Sequence, residues 1–311
     1  MEHRCRRAFV CWLALLLALP LAVPSAIAAD KDPEHDPSQI GNRDVAKGVN
    51  FYSVEREIAL GKQMAGEVEH QAKMVDDATV SEYVNRLVQN VARNSDSKIP
   101  FTIRVVDSDE VNAFALPGGF MFVNTGLILK AANEAELAGV LAHEIAHVAA
   151  RHGTRQATRG QLINYSSIPL IFFGGWAGYA VRQAFTLAVP LGFLKFSRNM
   201  ETEADLLGLQ YMYKTGYDPT EFVNFFERIE TLEKKQPGAV SKLFSTHPMT
   251  GDRIRAAQKT IQRDLTAVPQ YVVDTSEFHD VRARLLVLGN RGKVHEDPSR
   301  PVLHHRSLPL E

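Results

Sequence analysis

His143, Glu144 and His147 stand in the string His-Glu-Ile-Ala-His. Residues four apart on an α-helix face the same side, with Cβ atoms roughly 5–6 Å apart, so two imidazoles at this spacing can reach one metal ion. Glu144 then sits beside the metal rather than on it. A carboxylate in that place can take a proton from a water that the metal acidifies, which is the general-base work of a hydrolytic zinc site. The string also arises by chance in chains with 11 histidines among 311 residues, so its surroundings have to decide. They favour a helix from about Glu134 to Arg151: Asn133 with Glu136 makes an N-cap and its N3 partner, and Leu137, Val140, Leu141, Ile145 and Val148 form an apolar stripe.

A zinc site needs a third protein ligand. The pattern HExxHxxGxxH is absent, because position 150 is Ala and position 153 is Gly, and His152 falls one residue short. A better source lies downstream, where Glu201 and Asp205 are one helical turn apart on a second amphipathic stretch with Leu206, Leu207, Leu209 and Met212. One carboxylate can bind metal while the other orients a ligand imidazole from behind. Taken alone, the pair reads equally as the acidic first turn of an ordinary helix.

HEIAHVAARHG, the Glu201-x-x-x-Asp205 helix, the segment from Asn112 to Gly119 and Ser245-Thr246-His247-Pro248 follow in an order that resembles one zinc metallopeptidase family. That family includes the heat-shock protease HtpX, the CAAX prenyl proteases and the periplasmic beta-barrel assembly-enhancing protease. The resemblance covers roughly residues 50 to 288. It implies an α+β, mostly α, gluzincin-type domain with a small β-sheet beside the HExxH helix. It also implies one Zn2+ per chain, held by His143, His147 and Glu201, with Glu144 as catalytic base. Ligand chemistry agrees, since two neutral imidazoles and a carboxylate leave a fourth tetrahedral position for water. Glu144 would accept the attacking water's proton and pass it to the departing amine. For His247 two roles stand open: donor to the oxyanion, or, as in the resembling periplasmic protease, a plug in the fourth metal position. Arg253 is a further electrostatic candidate for the oxyanion.

The elements that must position these groups are legible around them. Phe101–Val106 and Phe120–Asn124 have strand character, and Pro117-Gly118-Gly119 between them is a strong turn, so a sheet of two or more strands precedes the metal helix. An edge strand beside a metal lets an extended peptide add through main-chain hydrogen bonds, which tolerates varied sequence. The resemblance assigns Asn112, Ala113, Phe114 and Ala115 to that cleft. Upstream, helices are expected over 54–73 and 78–93. Downstream, they are expected near 219–234, 250–264 and 276–288, with 271–273 as a short strand.

Arg4, Arg6 and Arg7 precede an apolar run from Ala8 to Val23 and then Ala26-Ile27-Ala28, the pattern of a secretory signal peptide over 1–28. Both cysteines lie inside it, so the mature chain has no thiol, which suits the periplasm without implying any disulfide. Losing three Arg and one Glu leaves 32 basic against 35 acidic side chains, which gives no electrostatic case for nucleic acid. A polar, flexible leader over 29–49 and a disordered tail over 289–311, with Gly289 as a C-cap, are expected to flank the metallopeptidase domain at 50–288. Within that domain, 160–198 is apolar and uncharged from Gly160 to Val181. It reads as a lid, or a hairpin touching a membrane surface, over the cleft.

The expected function is endoproteolysis of misfolded or stalled periplasmic and outer-membrane proteins, whose unfolded or extended chains are the partners. The alternative is a chaperone-like assembly factor with a largely latent zinc site. The resembling periplasmic protease carries tetratricopeptide repeats after its catalytic domain. No 34-residue repeat occurs here, which leaves docking to an outer-membrane assembly machine without its expected carrier.

Overall fold

The computed structural model describes residues 32–171, 196–235, 247, 248 and 250–295. Helices α1 (Val54–Gln71) and α2 (Ala78–Arg93) begin where Ser53 and Asp77 accept hydrogen bonds from the third backbone N–H of each helix. α2 buries Val80, Val84, Leu87, Val88 and Val91, the stripe its spacing predicts.

Strands β1 (Thr102–Val106), β2 (Ala113–Leu116) and β3 (Phe120–Asn124) form a sheet of order β1-β3-β2. β3 runs parallel to β1 and antiparallel to β2. The turn at Pro117–Gly119 folds β2 back on β3, with φ of 76° at Gly118 and 84° at Gly119, a region that side chains other than hydrogen rarely tolerate. α1 lies directly on this turn. A Cβ at Gly61 would stand 1.6 Å from the Pro117 carbonyl oxygen, so α1 reaches the turn only with glycine there.

The remaining helices are α3 (Thr125–Lys130), α4 (Glu134–Ala149), α5 (His152–Ile171), α6 (Arg198–Thr215), α7 (Thr220–Lys235), α8 (Gly251–Asp264) and α9 (Ser276–His295). α4 is the axis of the core. Each of its residues is buried, with α6, α2, α7 and β2 packed around it. Asn133 caps it by accepting from Glu136 N–H at 2.9 Å, while the Glu136 carboxylate accepts from Ala132 N–H at 2.6 Å, one residue before the cap's own N–H. The architecture is the mostly helical α+β domain with a small sheet beside the HExxH helix that the sequence suggests.

The structure differs from the expectations, or adds to them, at four places. Over its described part the leader lies along the domain and includes two short 3-10 turns, Pro33–His35 and Pro37–Gln39. Its polar composition hid a set of anchors. Gln210 donates to the Glu34 carbonyl at 2.8 Å, Arg43 donates to buried Asp96 at 3.0 Å, His35 Nδ1 stands 2.8 Å from Asp264, and Val45 is buried in the core. Next, α9 passes through Gly289 to His295, so neither the expected C-cap nor a disordered start to the tail is found. One glycine costs a helix only about 1 kcal/mol relative to alanine, too little to end it unaided. Finally, the lid segment begins as a continuation of α5 to Ile171. Residues 172–195, the expected signal peptide at 1–28 and residues 296–311 lie outside the described residues. Among the described residues no helix is long and apolar enough to cross a membrane. The short strand expected at 271–273 is a single parallel bridge between Tyr217 and Val272.

Asp77 joins the N-terminal pair of helices to α9. Its carboxylate caps α2 and accepts from Arg284 Nε at 2.8 Å, and that guanidinium holds the carboxyl below its ordinary range. A depressed folded value stabilises the protein above the unfolded carboxylate pKa of about 3.9, and that contribution is lost as pH falls through the folded value. Asp77→Ala is therefore expected to cost about 1–2 kcal/mol in urea unfolding at pH 7. The gap between variant and parent should narrow in the same titration at acid pH.

Candidate metal centre and active site

α6 crosses α4 at close range: a Cβ at Gly208 would lie 3.2 Å from both Cα and N of His143. This approach brings the preceding turns of α6, with Glu201 and Asp205, against the HExxH residues. Ser197 starts α6 by accepting from Met200 N–H, and Gly216 ends it at φ 93°.

Four buried groups converge: His143, His147, Glu201 and His247, each offering an atom within 4.8 Å of the other three. The Nε2 atoms of His143 and His147 are 3.0 Å apart. Glu201 Oε2 is 3.5 Å from His143 Nε2, and Glu201 Oε1 is 3.6 Å from His147 Nε2. His247 Nδ1 enters from the segment before α8, 3.0 Å from Glu201 Oε1 and 3.4 Å from His143 Nε2.

A cation fits this set. On the far side of its ring, His143 Nδ1 stands 3.1 Å from Asp205 Oδ1, so a neutral ring carries its proton there and presents a lone pair to the cluster. Converging lone pairs and a carboxylate are held at such separations by a metal ion. The charge balance points the same way: buried Glu144, Glu201 and Asp205 face the single buried guanidinium of Arg253 among the described residues around the cluster. Burial opposes charging of His143, but Asp205 and Glu201 outweigh it and raise the ring to about 9. Burial, reinforced by the neighbouring histidines, pulls His147 well below its usual value. Burial also works against ionised Glu201, yet His143 and His247 hold its carboxyl down.

Glu144 sits beside the cluster. Its Oε2 accepts from the Ala115 backbone N–H at 3.1 Å, whereas Oε1 is buried with no hydrogen-bond partner and lies 3.5 Å from His247 Nε2. Burial lifts this carboxyl above its ordinary value, against the pull of His247 and His143. One oxygen is thus fixed and the other is free to handle a proton.

Asp205 stands behind His143. Its carboxylate is gripped by Arg253 Nε and Nη2, each at 2.7 Å, and burial alone would raise it, but Arg253 lowers it. Arg253, the electrostatic candidate, is buried among the carboxylates. Its Nη1 is 2.8 Å from Glu201 Oε2 and donates to the Pro248 carbonyl at 2.9 Å. It fixes Glu201 and Asp205 together and ties the His247 segment to them.

The four residues expected to line the substrate cleft form or precede β2. Phe114 turns away to stack on Phe122 at 5.2 Å, while Asn112, Ala113 and Ala115 are buried. Strand parity directs the main-chain groups of Ala113 and Ala115 away from β3, toward the metal side, where Ala115 N–H already meets Glu144. What the strand offers there is backbone.

Sequence reasoning missed three participants. Phe196 stacks on the His147 ring at 4.0 Å and 20° and lies 5.9 Å from His247. His152 and Glu203 form a second line behind His147: Nδ1 to Nδ1 at 2.9 Å, then His152 Nε2 to Glu203 Oε2 at 3.1 Å. The turn that swings His152 under His147 centres on Arg151, at φ 53° the only described non-glycine residue with positive φ. Arg151 is held there by buried Glu57 at 2.6 Å and the Tyr52 carbonyl at 2.7 Å.

The family model for peptidase family M48 matches residues 76–261. Among curated proteins, the chain is 27% identical over 253 residues to the Beta-barrel assembly-enhancing protease of Escherichia coli (strain K12), covering 78% of this chain and 50% of that protein. It is 29% identical over 261 residues to a putative Beta-barrel assembly-enhancing protease of Vibrio cholerae, covering 81% and 53%. It is 33% identical over 179 residues to the Mitochondrial metalloendopeptidase OMA1 of Schizosaccharomyces pombe, covering 57% and 52%. The chain spans about half the length of these relatives.

Proposed function

The chain belongs to peptidase family M48, and from that premise we propose that it is a zinc-dependent endopeptidase of the periplasm that cleaves misfolded or stalled envelope proteins, outer-membrane proteins among them. The observation that carries this reading is the meeting of His143, His147 and Glu201 beside a buried Glu144 oxygen that lacks a donor. Its cellular setting is supported by the secretory pattern at 1–28 and by the similarity to the bacterial assembly-enhancing proteases.

A zinc ion held by these residues supplies a Lewis acid that lowers the pKa of water and polarises a peptide carbonyl. The chain's own groups do the rest. Glu144, steadied through Oε2 by Ala115, uses Oε1 to accept the attacking water's proton and then delivers it to the departing amine. Asp205 and Arg253 keep His143 and Glu201 aimed inward. An extended substrate adds along the outward backbone of β2, so recognition depends little on side chains. His247 serves as a plug, supported by its Nδ1 facing the metal ligands while its Nε2 sits beside the base. Contact with a membrane surface through 160–198 would bring the cleft to envelope substrates.

The test is casein cleavage by the purified mature chain, measured with zinc content before and after chelation. One zinc per chain is expected, with cleavage lost on stripping and regained on adding zinc. Cleavage that survives complete removal of metal would overturn the proposal.

A further inference from the structure

We infer that His152 and Glu203 are positioning residues for the zinc site: together they fix the tautomer of His147 so that its Nε2 lone pair faces the metal. This rests on the zinc reading given above.

The argument follows the protons. An ionised carboxylate only accepts, so in the 3.1 Å contact with Glu203 Oε2 the donor is His152 Nε2–H. A neutral imidazole protonated at Nε2 has a bare Nδ1. That bare nitrogen lies 2.9 Å from His147 Nδ1, so His147 must supply the proton of this bond. With its proton on Nδ1, His147 has its lone pair on Nε2, the atom that points to His143 and Glu201. The wire therefore runs from carboxylate to imidazole to ligand imidazole, and each link admits one proton arrangement.

Burial and packing make the wire stiff. His152 is fully buried, and Arg155 Nη1 holds both oxygens of Glu203, Oε2 at 3.4 Å and Oε1 at 3.5 Å. Phe196, stacked on the His147 ring, limits its rotation. The two ligand histidines are thus backed differently. His143 meets a carboxylate directly, whereas His147 meets one through a second ring, because the left-handed residue Arg151 turns the chain back beneath it. Outer partners of this kind raise ligand basicity and fix ring orientation, and losing one typically weakens metal binding 10–100-fold.

The experiment is chelator competition for zinc, run with apo-protein thermal unfolding, on the full chain, His152→Ala, His152→Gln, Glu203→Ala and the double alanine variant. Expected are zinc dissociation constants about 10–100-fold weaker for His152→Ala and weaker to a lesser degree for Glu203→Ala. The double variant should be no weaker than His152→Ala, since Glu203 acts only through that ring. His152→Gln, whose amide oxygen can accept from His147 Nδ1–H, should recover part of the loss. Glu203 is partly exposed, so its variant remains informative if His152→Ala does not fold. Wild-type zinc affinity in Glu203→Ala, or losses that add in the double variant, would overturn the wire while leaving the metallopeptidase reading intact. A parent chain that binds no zinc would sink both.

Discussion

Replacing Glu144 by Gln is expected to lower casein cleavage by about 10²–10⁴-fold while one zinc per chain is retained. The substitution keeps shape and keeps an oxygen able to accept from Ala115 N–H, so β2 and α4 stay joined. What goes is the basic oxygen. In the parent that oxygen, Oε1, is buried, unpartnered and carried by a carboxyl that burial has made more basic than usual. An amide at this place neither takes up the water's proton nor returns it to the amine. Side-by-side zinc analysis and kcat/KM for parent and variant check the claim. Loss of cleavage together with loss of zinc would instead make Glu144 part of the scaffold. An inactive variant that still suppressed aggregation of unfolded envelope proteins would favour the chaperone-like alternative.

The second large effect is of opposite sign. His247→Ala is expected to raise basal cleavage about tenfold or more, because the ring's Nδ1 stands 3.0 Å from Glu201 Oε1 in the place a fourth ligand would take. If the open form makes up a tenth or less of the population, removing the plug frees the remainder, and the apparent activity rises by the inverse of that fraction. Zinc should remain, since His143, His147 and Glu201 are untouched. A fall in kcat with zinc retained would make His247 an oxyanion donor. Unchanged activity would remove it from the site.

Where local chemistry and burial agree, the sequence was enough. Asn133 caps α4 at the expected residue, α2 spans the expected positions, and the apolar stripes of both are buried. The metal residues were legible for a related reason: four-residue spacing on a helix is a statement about one face, and His143 with His147, and Glu201 with Asp205, each kept that face. β2 was harder to read as a strand. Its Ala-Phe-Ala-Leu sequence shows no polar alternation, because both of its faces pack against apolar clusters and neither is solvated. The partners of Arg253 were not legible, because nothing in the spacing places two carboxylates around its guanidinium. His152 escaped because its use depends on a break in the helix. Five residues from His147 along a continuous helix it would face elsewhere, and the positive φ of Arg151 is set by Glu57 of α1, about a hundred positions earlier. The leader's anchors were hidden for a similar reason, since each belongs to a distant element.

Those anchors bear on the order in which the chain assembles. His35 meets Asp264 across 229 positions, and the Glu34 carbonyl meets Gln210 across 176. Export N-terminus first, which belongs to the proposed function, would deliver this strap before either partner has emerged. Contacts this distant in sequence pay the loop-closure entropy last and form slowly. By that argument the strap would be the closing clasp of the fold, completed only after α8 is in place. Until then the core around α4 has to hold without it.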